Sequence, residues 1–296
     1  MNLIKRRFLW LSISGLLVAL AIVFIILWRL KPGIDFTGGT LMEFQFTNQV
    51  KTEDIGNILN DNQIKGFQIQ KTSSNSVFIK TPILEKHQID KLKNQLTNKI
   101  GDFQELKFES VGPAVSKDLT TRAYWSVGIA SLFIILYIAI AFRKVPKPAN
   151  SFRFGICAVI ALIHDSLLVI GLFAFLGRFY GVEIDSLFIT ALLTVLGFSV
   201  HDTIVVFDRI RENLINHSDE SFEINAGRSL TQTIDRSLGT SLTVVFVLVA
   251  LLVFGGESIK WFITALLAGI IFGTYSSIFV ATQVLALWQG RIDKKR

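Results

Sequence analysis

Residues 186–207 read SLFITALLTVLGFSVHDTIVVF, and the chain runs on as Asp208-Arg209-Ile210-Arg211-Glu212-Asn213. An apolar stretch of about 20 residues spans the hydrocarbon core of a bilayer as a helix. This stretch has that length and holds one carboxylate, Asp202. Working outward, five more runs meet the same condition: Phe8–Trp28, Ala123–Phe142, Phe154–Leu176, Ser237–Gly255 and Trp261–Trp288. Composition agrees. Of 296 residues, 51% are hydrophobic, 18% are charged and 25 are Phe, which excludes a disordered or collagen-like chain and argues against an ordinary soluble enzyme. The single cysteine, Cys157, excludes an intramolecular disulfide framework and a cysteine-based zinc cluster. The net charge of +7 sits mostly beside apolar runs, a membrane pattern rather than a nucleic-acid one.

The first run follows Lys5, Arg6 and Arg7 and ends in Trp28-Arg29-Leu30-Lys31. It is longer than the core of a secretory signal peptide and is read as an uncleaved anchor. Six spans put both termini on one side. Arg143, Lys144, Lys147 and Arg153 crowd the loop after the second span, and Arg291, Lys294, Lys295 and Arg296 lie in the tail. The opposite short loops carry only Arg178 and Lys260. Cytoplasmic short loops are enriched in Lys and Arg, so both ends are expected in the cytoplasm of a plasma (inner) membrane.

The expected organisation is an N-terminus with the first helix (residues 1–30), an extracytoplasmic (periplasmic) domain (31–122), and helices two to six with cytoplasmic loops and a basic tail (123–296). Within 31–122, Thr40–Phe46 alternates like a strand, and Thr52–Leu59 has helical spacing. Phe67–Gln70 and Val77–Thr81 flank Ser73-Ser74-Asn75-Ser76, a hairpin turn. Ile83–Ile100 reads as a helix stopped by Gly101, and Phe103–Phe108 as a strand. The order βαββαβ is the ferredoxin-like α+β arrangement. His87, its only histidine, reads as a solvated surface residue. Gly33–Gly39 and Val111-Gly112-Pro113 border the domain, as turns or as hinges.

Ionisable groups inside the hydrocarbon zone are costly and mark function. The third span contains His164-Asp165, roughly ten residues from its cytoplasmic end, near the midplane at about 1.5 Å per residue. The fourth contains His201-Asp202, and the fifth opens with Asp235-Arg236-Ser237. A carboxylate that gains and loses a guanidinium neighbour can bind and release a proton, so Asp202 and Arg236 are the leading relay candidates, with Asp165 and His201 behind them. The competing reading is a static ion pair or helix–helix hydrogen bond. A metal site is disfavoured, because neighbouring helical residues point about 100° apart and further ligands are lacking. Gly269, Gly273 and Ser277, and likewise Gly239 and Thr243, recur at four-residue spacing as packing seams. The segment to Arg236 reads as a short amphipathic helix at the cytoplasmic surface or a partner contact. No phosphate-binding loop, dinucleotide fingerprint or Gly-x-Ser-x-Gly occurs, so no catalytic residue, cofactor or metal is expected and the chain is not read as an enzyme.

The architecture resembles half of a resistance-nodulation-division-type transporter. Asp35-Phe36-Thr37-Gly38-Gly39, Val111-Gly112-Pro113, Ala161–Asp165, Gly197–Asn213, Arg236–Thr243, Phe254-Gly255-Gly256 and Gly273–Ala281 resemble, in order, the SecD/SecF family of bacterial protein-export membrane proteins, on its SecF side. Gly239 stands where a larger residue is expected, and Val244 where Thr is. The resemblance implies pairing with the related six-span subunit SecD and association with the SecYEG channel. It also implies use of the proton motive force to promote translocation of unfolded preprotein across the lipid bilayer, after the SecYEG/SecA stage. It places a proton-relay Asp at Asp202 and a functional Arg at Arg236. The alternatives are a proton-driven half-size exporter of lipids or small molecules, and a non-transporting assembly factor.

Overall fold

The structure, a computed structural model, describes residues 4–71, 74–143, 145–146 and 149–293, the side chains of 291–293 excepted. Ser73 of the expected turn, Lys144 and Lys147 of the basic loop, and Lys294, Lys295 and Arg296 of the tail lie outside the described residues. The chain divides into two compact units, one of residues 1–30 and 125–296 and one of residues 31–124.

In the helical unit, α1 (Arg7–Trp28) is the first span. The chain then enters the second unit. There α2 (Ile34–Thr37), β1 (Gly39–Phe46), α3 (Thr52–Asp61), β2 (Gln68–Lys71), β3 (Ser76–Thr81), α4 (Lys86–Lys99) and β4 (Phe103–Val111) follow in order. The sheet runs β2-β3-β1-β4, antiparallel throughout, as the ferredoxin-like order requires. Alternation along β1 sends Met42, Phe44 and Phe46 to one face, with Val77 and Ile79 of β3 beside them. Ile55, Ile58 and Leu59 of α3 and Ile89, Leu92 and Leu96 of α4 close this core. His87 is exposed, next to Glu85 at 3.2 Å. At the entry to β1, Gly38 and Gly39 have φ of +71° and +129°. A Cβ on Gly39 would stand 2.6 Å from the Thr81 carbonyl oxygen, so only glycine lets β1 meet β3 there.

The remaining spans are α5 (Pro113–Ala141), α6 (Ser151–Phe179), α7 (Ser186–Asn216), α8 (Phe222–Phe254) and a composite sixth span. The sixth is α9 (Lys260–Ser276), one π-helical segment (Ser277–Ala281), and α10 (Thr282–Asp293). Among the described residues, six helices are thus long and apolar enough to cross a membrane. Helices α6, α7 and α9 form the buried centre. Small residues set the spacing: Gly171 of α6 lies against Ala21 of α1, and Gly269 of α9 lies under Val195 of α7. Near one end, Phe142, Phe154 and Phe207 pack edge-on or tilted, with centroids 5.2–5.7 Å apart.

Two sequence expectations are corrected. The segment before Arg236 is no separate surface helix. It forms the first turns of α8, capped by Ser221, with Phe222, Ala226 and Leu230 packed among Ile210 and Leu214 of α7. The stripe 222, 226, 230, 233, 237, 241 is buried without a break, so nothing ends the helix before Gly255. The seam at Gly239 and Thr243 is not used within this chain: both are exposed, and a Cβ on Gly239 would meet nothing within 4 Å. Ser237, Ser241 and Leu248 turn inward instead. The seam through Gly269, Gly273 and Ser277 is buried as expected.

Candidate functional site

The centre of the helical unit is polar on its inside. Asp165 lies near the middle of α6 and is wholly buried. Three side chains hold its carboxylate: His164 Nδ1 at 2.9 Å on Oδ1, and the hydroxyls of Ser199 (2.5 Å) and Ser276 (2.7 Å) donating to Oδ2. They come from α6, α7 and α9. The approach is possible because Gly273 leaves room: a Cβ there would stand 3.1 Å from Ser199 Cβ. The His164 ring stacks on Tyr275 with planes 27° apart and centroids 6.3 Å apart, and the Tyr275 hydroxyl reaches Ser14 of α1 at 2.9 Å.

Asp202 lies near the middle of α7, 6% exposed. α7 continues past Phe207 to Asn216, so the residue is central in its helix. Ser237 of α8 and Ser277 of the π segment lie beside its carboxylate. Asp202 Oδ2 and Ser237 Oγ are both buried, and neither meets a partner at close hydrogen-bond geometry among the described residues. A buried carboxylate with an open acceptor is costly and is rarely left so without purpose. Thr203 and Ser277 share a hydrogen bond of 3.0 Å, and Ser241 and Thr274 another of 2.6 Å, extending the polar track across α7, α8 and the sixth span.

The four sequence candidates do not converge. Asp165 and Asp202 both face the interior. Arg236 is exposed on α8 and pairs with no carboxylate among the described residues; the next residue, Ser237, is the one beside Asp202. His201 also points outward, into a cleft of about 350 Å³ lined by Phe133, Ile134, Tyr137, Gly197, Val200 and Ile204 between α5 and α7. No cluster of His, Cys, Asp and Glu suited to a metal occurs among the described residues. Sequence reasoning missed Ser199 and Ser276, and took Ser277 only as part of a packing seam. Their signal was present: three hydroxyls at small-residue positions of helices that also carry the acids.

Six apolar helices, a ferredoxin-like domain between the first two, and carboxylates held by hydroxyls inside the bundle define a multi-pass α-helical membrane protein with an ionisable core. The pattern described as "Protein export membrane protein SecD/SecF, C-terminal" matches residues 91–291, and "SecD/SecF GG Motif" matches residues 29–50, around Gly38-Gly39. The chain belongs to the SecD/SecF family of protein-export membrane proteins. It is 45% identical to the protein translocase subunit SecF of Thermobaculum terrenum, over 98% of this chain and 94% of that one. It is 34% identical to the protein translocase subunit SecDF of Bacillus subtilis, covering 98% of this chain but 38% of the relative. The crystal structure of SecDF from Thermus thermophilus, titled a translocon-associated membrane protein, matches with a TM-score of 0.86 and 31% identity. That match covers 98% of this chain and 39% of the longer one.

Proposed function

We propose that this chain is the SecF-type half of a proton-driven accessory to the Sec translocase, in which Asp202 binds and releases the driving proton. The observation that carries the reading is the buried Asp202 carboxylate, with Ser237 and Ser277 beside it and no close partner on Oδ2 among the described residues. A proton on Asp202 satisfies the carboxylate locally; its loss leaves a charge that draws donors from α8 and the sixth span. The packing of those helices then depends on the proton. One charge moved through 100 mV supplies about 2.3 kcal/mol, enough to bias a two-state element roughly fifty-fold.

The partner in this reading is SecD. The relatives named SecDF, in which this chain matches 38–39% of a longer polypeptide, support a joined or paired arrangement. SecYEG and the unfolded preprotein are the further partners, and the 31–122 domain grips the emerging chain. The membrane is the bacterial plasma (inner) membrane, with both termini cytoplasmic; Arg143 and Arg153 beside the second and third spans support that side. Arg236, exposed near the middle of α8, approaches Asp202 in another state of the cycle. The energy source is the proton gradient, with no bound cofactor.

The test is export of a secretory precursor into inverted vesicles, with and without a proton gradient, for wild type and Asp202→Asn at matched levels of assembled complex. Loss of the gradient-dependent part supports the reading. Unchanged export removes Asp202 from the relay and leaves a bracing role.

A further inference from the structure

We propose that Asp165 is a second proton station, coupled to Asp202 through the consecutive hydroxyls of Ser276 and Ser277; this rests on the proton role of Asp202 proposed above. The argument is a count of donors and lone pairs around the Gly273 carbonyl. That oxygen has two acceptor positions. The Ser277 backbone N–H takes one. Two hydroxyls are within reach of the other: Ser277 Oγ at 2.8 Å and Ser276 Oγ at 3.1 Å. Each hydroxyl has a single proton to give. While Asp165 is ionised, Ser276 gives its proton to Asp165 Oδ2 at 2.7 Å, and Ser277 fills the Gly273 position.

A proton taken up on Asp165 Oδ2 reverses this. The carboxyl becomes a donor, Ser276 turns to accept from it, and the Ser276 proton moves to the Gly273 oxygen. Ser277 is displaced from the Gly273 oxygen; Thr203, 3.0 Å away, serves as its donor, and the acceptor beside it that its own proton turns to is the Asp202 carboxylate. A proton on Asp165 therefore supplies a donor to ionised Asp202, and loss of that proton withdraws it. No bond other than hydrogen bonds changes, and the net change is one proton gained at Asp165. The place where this happens is the junction of α9 with the π segment Ser277–Ala281, and such segments recur at functional sites. The groups around Asp165 are His164 on its own helix, Ser199 and Ser276; those around Asp202 are Ser237 and Ser277, with the adjacent His201 turned outward on α7. His164 Nε2 is itself buried with no hydrogen-bond partner among the described residues.

The test uses assembled complexes in inverted vesicles, reading gradient-dependent export as a function of pH for wild type, Ser276→Ala, Asp165→Asn and Asp202→Asn. A coupled pair titrates in two macroscopic steps. Wild type is expected to show two, while Ser276→Ala and Asp165→Asn show one, with the gradient-dependent rate of Ser276→Ala lowered roughly tenfold, as for loss of a charged-group hydrogen bond. Ser276→Ala keeps Asp165 on Ser199 and His164, so it decides the question even where Asp165→Asn does not assemble. A wild-type pH curve for Ser276→Ala overturns the coupling. If Asp202→Asn retains gradient-dependent export, the proposed function itself fails; if it abolishes that export while Ser276→Ala keeps the wild-type curve, only the present inference fails.

Discussion

Gly269 of α9 lies so close beneath Val195 of α7 that a Cβ added to it would stand 2.1 Å from Val195 Cγ2 and 2.9 Å from Val195 Cβ. Valine is stiff at χ1 and cannot swing aside, so the contact fixes the spacing of the two helices that carry Asp202 and Ser277. Gly269→Ala is expected to cost about 1–3 kcal/mol by overpacking. Thermal unfolding in detergent reads the loss. Adding Val195→Ala should recover most of it; no recovery would mean the helices are spaced by something else.

Gly39 governs the second unit in a similar way, through backbone rather than packing. At φ +129° a side chain is strained, and its Cβ would run into the Thr81 carbonyl. Gly39→Ala should loosen the β1–β3 pairing first. Hydrogen exchange on the intact chain should show faster exchange at Met42–Gln45 and Val77–Lys80, while the amides of α6 and α7 stay protected. Equal change in both units would contradict this.

Arg236 is exposed and pairs with no carboxylate among the described residues, so its replacement should be mild for folding. Arg236→Lys is expected to shift stability by no more than about 0.5 kcal/mol, yet to lower gradient-dependent export, because Lys lacks the planar fork. Melting temperature and vesicle export, measured on the same preparation, separate the two effects. Wild-type export would mean that a positive charge alone suffices there.

The continuous α8 makes a labelling prediction. The one native cysteine, Cys157, is buried and gives little background. Leu230, 1% exposed, packs against α7, whereas Ile224 is 54% exposed. Ile224→Cys should react with a water-soluble maleimide at least about tenfold faster than Leu230→Cys, as expected when reaction requires local opening. Similar rates would restore the picture of a separate surface helix.

Much of this protein is legible in one dimension. Run length alone located six spans, because a bilayer demands a fixed number of apolar residues whatever the neighbours are. Alternation and turn chemistry gave βαββαβ, since Met42, Phe44 and Phe46 must share a face in any strand. The glycine–serine stripe of the sixth span read correctly as a seam because helical spacing is local geometry.

The failures share a cause. At the start of α8 the apolar residues alone looked sparse, and the stripe continues through Thr233, Ser237 and Ser241, whose small hydroxylated side chains can face a helix or lipid equally well. Arg236 and Ser237 are neighbours in the chain, and about 100° of helical rotation decided that the serine, not the arginine, lies beside Asp202. The sequence by itself determined the number of spans, the inserted domain and which residues can carry charge. Only the tertiary structure decided which hydroxyls meet which carboxylate, because that depends on the rotation and separation of α6, α7 and the sixth span, set by close contacts such as Gly269 on Val195 and Gly273 on Ser199.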